Sequence, residues 1–249
     1  MLHRTRAKSS GTGQSVRCGM AILDTAAHGD QDLTMAHILF ANPNSSLACS
    51  AGIDAAIAPF RFADGPTLTV ATNTQGPPGI YSWRDWHSVA DPLCRQAETT
   101  AADVFVIACA SDPAIEAVRA ATQTPVLGIF RAAVAAAMLR AERFGVIALV
   151  DASIGRHALA LRSMGVESRL AGEIPMNLSI ESLLDPLAAR AGLLAAARAL
   201  AAQGAGAIIL GCTGMAGHRA ALEQAAGVPV IEPCQAAAAA ALAIVASHG

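Results

Sequence analysis

The chain contains the same passage twice, and that repeat limits what it can fold into more than any other feature. From Ala102 it reads ADVFVIACASDPAIEAVRAATQTPVLGIFRAAVAAA, and from Gly206 it reads GAIILGCTGMAGHRAALEQAAGVPVIEPCQAAAAAA. In each copy an apolar run ends in a cysteine (Cys109, Cys212). A short turn and an amphipathic stretch follow, then a Pro-Val step (Pro125, Pro229) opens a second apolar run and an Ala-rich helix. Cys109 and Cys212 stand 103 residues apart and Pro125 and Pro229 stand 104 apart, so one small insertion brings the copies into register. In a chain of 249 residues, a repeat of this length predicts two half-domains rather than one large core.

Outside the repeat, short apolar runs alternate with helical patterns, which argues for a parallel sheet with helical crossovers. Strands are expected at 37–41, 67–71, 104–108, 126–129, 146–150, 166–170, 208–210 and 230–232. Helices are expected at 46–58, 92–101, 113–121, 131–143, 156–164, 185–202, 218–225 and 236–247. The fold class is α/β: two pseudo-symmetric, Rossmann-like parallel-sheet lobes with the active site in the cleft between them. The expected division is 35–130 plus 234–249 for the first lobe and 131–233 for the second. Residues 1–34 are polar and aperiodic and read as a disordered leader or an extension ahead of Met35.

Composition removes several function classes. Seventeen Lys and Arg against nineteen Asp and Glu leave a formal charge of -2, without the basic stripe that phosphate backbones require, so nucleic acid is not an expected partner. Hydrophobic residues make up 53% of the chain, but Ala dominates them and the richest tracts are broken by Arg or too short to span a bilayer. No membrane partner is expected. The one lysine, Lys8, lies in the leader, which argues against a pyridoxal-phosphate enzyme. Six cysteines without a CxxC pair, and no apolar signal segment, fit free thiols in a reducing cytoplasm. No zinc-type spacing appears, and Gly11-Thr12-Gly13 lies outside any strand-to-helix context, so neither metal nor cofactor is expected.

Both repeat cysteines fall at the carboxyl ends of strands, where open α/β sheets bind ligands. Each also precedes a helical stretch, whose free N–H groups would favour a thiolate. Two thiols facing one cleft suit removal of a proton from one face of a carbon acid and delivery to the other. Ser111, Thr213 and the turn amides are placed to stabilise an enolate. Cys18, Cys49, Cys94 and Cys234 read as small buried hydrophobes. His157 is expected on a solvated helix, His218 at the surface, and the Arg residues of 190–198 on a wet face.

Four motifs in order carry a resemblance to the aspartate/glutamate racemase superfamily, and within it to the hydantoin racemase family: FANPNSS (40–46), IACASDP (107–113), LGCTGMAG (210–217) and GVPVIEP (227–233). The resemblance covers about residues 36–247. It implies a cofactor-independent racemase in which Cys109 and Cys212 alternate as thiolate base and thiol acid. It also implies a small-molecule substrate (a hydantoin, allantoin or an amino acid) and a homo-oligomer. Asn42, Asn44 and Ser45 would line the pocket, with Ser111, Asp112, Thr213 and Gly214 beside the thiols.

Two departures bear on the substrate. The family's GPxxIE segment stands here as GPPGIY (76–81), so Tyr81 replaces a carboxylate and is expected among the substrate-binding residues. The strand that usually ends in a Thr pair reads FGVIALVD (144–151), which puts Ala148 and Leu149 where hydroxyl donors belong. Arylmalonate-decarboxylase-like and maleate-isomerase-like enzymes share the superfamily; the former work with one cysteine, so a second thiol counts against them. A non-catalytic small-ligand binder is the reading from another class, and a cysteine hydrolase would need a His base at the thiol.

Overall fold

In the computed structural model, residues 35–184, 187 and 189–248 are described. The leader 1–34 and part of the helix expected from 185 lie outside them. The described residues form one compact unit.

The first sheet contains β1 (His37–Asn42), β2 (Thr67–Thr72), β3 (Val104–Ile107) and β4 (Val126–Gly128), in the order β2-β1-β3-β4. The second contains β5 (Phe144–Ala148), β6 (Leu170–Pro175), β7 (Ala207–Gly211) and β8 (Val230–Ile231), in the order β6-β5-β7-β8. All six pairings are parallel. The same order therefore occurs twice, and the sequence repeat covers β3–β4 and β7–β8. Strands β3, β5 and β7 are buried at every position, as parallel strands covered on both faces must be.

The helices are α1 (Leu47–Ile57), α2 (Trp83–Ser88), α3 (Ala90–Thr99), α4 (Ile115–Ala121), α5 (Ile129–Met138), α6 (Asp151–Ser163), α7 (Ile180–Leu184), α8 (Arg190–Ala202), α9 (Arg219–Ala226) and α10 (Pro233–His248). Helix α1 starts at Leu47 because Ser46 caps it, its hydroxyl accepting from Cys49 N. Around the first sheet, one core joins Ile38, Phe40, Val104 and Val106 to α1 and to Cys234, Ala237, Ala238 and Ala241 of α10. The opposite core packs Leu39, Phe105 and Ile107 against α3 and α4. In the second sheet, Phe144, Val146 and Ile209 pack on α5, while Ile147, Ile208 and Leu210 pack on α8. Among the described residues no helix is long and apolar enough to cross a membrane.

The strand expected at 166–170 is displaced. Glu167–Arg169 form a 3-10 turn, and β6 runs from Leu170 to Pro175. The cause is the end of α6: Gly165 takes φ +70 and Val166 N donates back to Leu161 O, so the chain must turn before it can extend.

In each sheet the chain leaves the central strand to opposite sides, β1 to β2 and then β3, β5 to β6 and then β7. The gaps at β1/β3 and β5/β7 are the switch points at which such sheets bind ligands. Cys109 follows β3 and Cys212 follows β7 at those points. At the second one, Gly211 lies beside Ala148, and a Cβ on Gly211 would stand 2.5 Å from the Ile147 carbonyl oxygen. We expect Gly211→Ala to force β7 away from β5 and to cost ~1–3 kcal/mol of stability in a denaturant melt, as overpacking does.

Candidate active site

The turn after β3 is held from four directions. Ala108 N donates to Ala41 O, which fixes the exit from the sheet. The carbonyls of Ala110 and Ser111 are each taken by a neighbouring helix: Ala110 O accepts from His157 Nε2 of α6 at 2.7 Å, and Ser111 O accepts from Trp86 Nε1 of α2 at 3.1 Å. The Asp112 carboxylate then accepts from Phe130 N (2.8 Å), Arg131 N (2.9 Å) and Arg131 Nη1 (3.2 Å). Asp112 and Ala114 both carry positive φ, +44 and +56, a conformation that costs an L-residue roughly 1–2 kcal/mol and that these anchors hold in place. The result is a fixed Cys109, with its Sγ 3.5 Å from Ser111 Oγ.

This geometry relocates Asp112. The resemblance implies a pocket residue, whereas its buried carboxylate points to the start of α5 and serves that helix as an anion at its N-terminus. Burial raises its pKa, against the pull of the two helix N–H groups and Arg131. Gly128 leaves the space: a Cβ there would lie 2.2 Å from Asp112 Cγ. Asp112→Ala should therefore loosen α5 and the cysteine turn together, destabilising the protein by about 1–3 kcal/mol on loss of a charged buried acceptor, as a thermal melt would show.

Cys212 sits on a different support. It is extended (φ -157, ψ 139) and leads into a 3-10 turn at Thr213–His218, with Met215 N donating to Cys212 O. The nearby Gly214 N–H favours its thiolate. Leu210, Met215 and Cys49 pack around it.

Both thiols line one cleft of about 440 Å³, counting its open mouth, with Asn44, Ser111, Thr213, Ser153 and Arg156 supplying polar groups and Ile80, Leu149 and Ile180 an apolar wall. Asn44 Oδ1 is spent on Asn42 and Ser46 N, while its Nδ2 meets no acceptor among the described residues. Asn42 and Ser45 do not line the cleft: Asn42 Nδ2 donates to Asn44 and Ser50 inside the turn, and Ser45 donates twice to Pro77 O. Tyr81 is also a structural support, its hydroxyl accepting from Ile180 N at 3.0 Å.

The expectation that helix starts favour both thiolates is not met. Helix α4 begins only at Ile115, six residues past Cys109, and Cys212 meets a 3-10 turn rather than an α-helix. Burial dominates instead. It pushes the Cys109 thiol up, opposed by the Ser111 hydrogen bonds and the Arg156 charge. It pushes Cys212 up to about 12, opposed only by the Gly214 N–H, while Cys49 and Cys109 add to the rise. Of the two thiols, Cys109 feels a cation, Arg156, among the described residues.

Two histidines and an arginine near the cleft are buried. His157, expected in solvent, is fully buried, stacked on Phe130 at 4.2 Å and bonded through Nδ1 to Glu173 Oε1 at 2.5 Å. His218, expected at the surface, is largely buried, its Nε2 3.4 Å from Leu183 O. Arg156, not singled out, is 2% exposed. Arg190 and Arg198 lie on an exposed face, as expected. Among the described residues no group of three His, Cys, Asp or Glu side chains is arranged to hold a metal.

Comparison with known proteins agrees with this architecture. The Asp/Glu/Hydantoin racemase family model matches residues 38–241. Hydantoin racemase of Rhizobium meliloti is 35% identical over 208 residues, covering 81% of this chain and 85% of that protein. Hydantoin racemase of Paenarthrobacter aurescens is 32% identical over 207 residues, covering 80% and 87%. Allantoin racemase from Klebsiella pneumoniae superposes with a TM-score of 0.79 at 30% identity, covering 86% of this chain and 89% of that one. By sequence and by fold, this chain belongs to the Asp/Glu/hydantoin racemase family and is an isomerase of the racemase class.

Proposed function

We propose that this racemase inverts an acidic C–H stereocentre by two-base proton transfer between Cys109 and Cys212, with 5-monosubstituted hydantoins or the related ring of allantoin as substrate. The observation that carries the reading is the placement of the two thiols at equivalent switch points of two like-ordered sheets, lining the same cleft.

In one direction the Cys109 thiolate takes the proton from the stereocentre. The C–H electron pair moves into the adjacent carbonyl, giving an enolate. The Cys212 thiol then donates its proton to the opposite face, which leaves Cys212 as thiolate and Cys109 as thiol. The reverse sequence serves the other enantiomer. Asn44 Nδ2, the Ser111 and Thr213 hydroxyls and the nearby turn amides are available to the enolate oxygen as charge develops. A ring carbonyl beside the reacting carbon lowers the acidity gap that a thiolate must cover.

The two thiols differ in readiness. Cys109 has Arg156 and Ser111 favouring its thiolate against burial, whereas Cys212, pushed up to about 12, has the Gly214 N–H. Because burial raises both pKa values, only a small fraction of the enzyme carries the needed thiolate at neutral pH. We expect kcat/KM to climb with pH above neutrality, close to tenfold per unit until Cys109 ionises. A flat profile between pH 7 and 9, measured by polarimetry, would contradict a thiolate base with a raised pKa.

A further inference from the structure

Arg156 is a buried cation whose bonding capacity is mostly unused. Only Nη2 has partners, Ile80 O at 3.2 Å and Ser153 Oγ at 3.1 Å. Nε and Nη1 are buried and meet no acceptor among the described residues. Three N–H groups on a permanently charged guanidinium are thus left without partners, an arrangement that is costly unless something else supplies the counter-charge. Asp85 is near enough for its charge to be felt, but its Oδ2 already accepts from Tyr81 N, Ser82 N and Ser82 Oγ in the cap of α2.

The side chain lies in the wall of the thiol cleft, and its charge reaches Cys109. The same wall carries Leu149, where the family resemblance leads one to expect a hydroxyl. Polar recognition on this side therefore comes from α6, through Arg156 and Ser153, rather than from the end of β5. Ile80, Leu149 and Ile180 in the same cleft supply no acceptor side chain.

We propose that Arg156 is a specificity residue that binds a carboxylate on the substrate, so that this enzyme prefers carbon acids carrying an anionic side chain over neutral ones. The inference rests on the racemase reading for the reacting carbon, while the anion site stands on its own observations. For a hydantoin it means a 5-(carboxyalkyl) substituent, with the carboxylate on Arg156 and C5 between the thiols.

Two measurements separate the anion site from the substrate reading. The first compares racemisation of 5-(2-carboxyethyl)hydantoin with that of its neutral isostere, 5-(2-carbamoylethyl)hydantoin. Wild type should favour the carboxylate in kcat/KM by about 10- to 100-fold, the range for a hydrogen bond to a charged group, and Arg156→Gln should remove that preference while Arg156→Lys retains part of it. Equal use of both by wild type overturns the proposal. So does an equal loss on both in Arg156→Gln, because that is what a purely structural arginine gives.

The second needs no turnover and no variant. In wild type, glutarate should protect Cys109 from alkylation by iodoacetamide and glutaramide should not, read by peptide mass spectrometry. Equal protection, or none from either, overturns the anion site. Selective protection by glutarate with neither hydantoin racemised would instead keep the anion site and remove the hydantoin ring.

Discussion

Cys109→Ala and Cys212→Ala each lose racemisation by at least about 10²–10⁴-fold, the contribution of a positioned acid or base, with the fold intact. Neither thiol carries a hydrogen-bond network: Cys109 Sγ has Ser111 Oγ, and Cys212 has the Gly214 N–H. The melting temperature should therefore move little. The variants differ in what survives. Cys212→Ala keeps the thiol beside Ser111 that feels the Arg156 charge, so it should still exchange the C–H of one enantiomer with solvent without inverting it. Cys109→Ala leaves only the thiol pushed up to about 12, and its exchange should be much slower and confined to the other enantiomer. Racemisation near the wild-type rate in either variant would remove that cysteine from the mechanism.

The second large effect belongs to His157, which touches no reacting atom in this account and acts by position. Its Nε2 holds the Ala110 carbonyl, one residue past Cys109, and its Nδ1 lies 2.5 Å from Oε1 of Glu173, whose side chain is 4% exposed. Removing one member of a buried, hydrogen-bonded pair costs about 3–5 kcal/mol, since the other is left uncompensated. For a chain of this size, His157→Ala should lower Tm by roughly 10 °C. Glu173→Gln keeps a hydrogen bond to the ring and should do less. A purely structural residue would slow both thiols alike. A positioning residue should slow alkylation of Cys109 while that of Cys212 holds, and should lower kcat more than it raises KM.

The repeat made the two-lobe parallel fold legible, because strands buried on both faces show as continuous apolar runs and the duplicated Cys and Pro-Val steps mark their ends. The positions of Cys109 and Cys212 follow from the same pattern. The rest of the site depends on contacts that no local pattern encodes. His157 and Arg156 sit on a helix whose sequence, DASIGRHALALRS, mixes polar and apolar residues without a clear stripe. Their burial comes from the first lobe closing over them, through Ala110 O and Ile80 O, 47 and 76 residues away in the chain.

Asp112 and Tyr81 mislead in the opposite way. Asp112, beside Cys109, and Tyr81, in the place of a family carboxylate, both suggest ligand contacts, yet one caps α5 and the other holds the N-terminus of α7. A sequence signal for Asp112 did exist: Gly128, immediately before α5, marks a place where another group comes too close for a Cβ. The raised thiol pKa values were not legible at all, because desolvation is set by everything packed around a group and not by its neighbours in sequence.

The most direct test of the two-thiol account is inversion of each pure enantiomer of a 5-monosubstituted hydantoin in deuterium oxide, followed by circular dichroism and mass spectrometry. With one thiol on each face, the inverted product carries one deuterium at C5 from the first turnover while the remaining substrate is still unlabelled. This should hold in both directions. Product that keeps its original hydrogen would mean one base serving both faces, and would contradict the account.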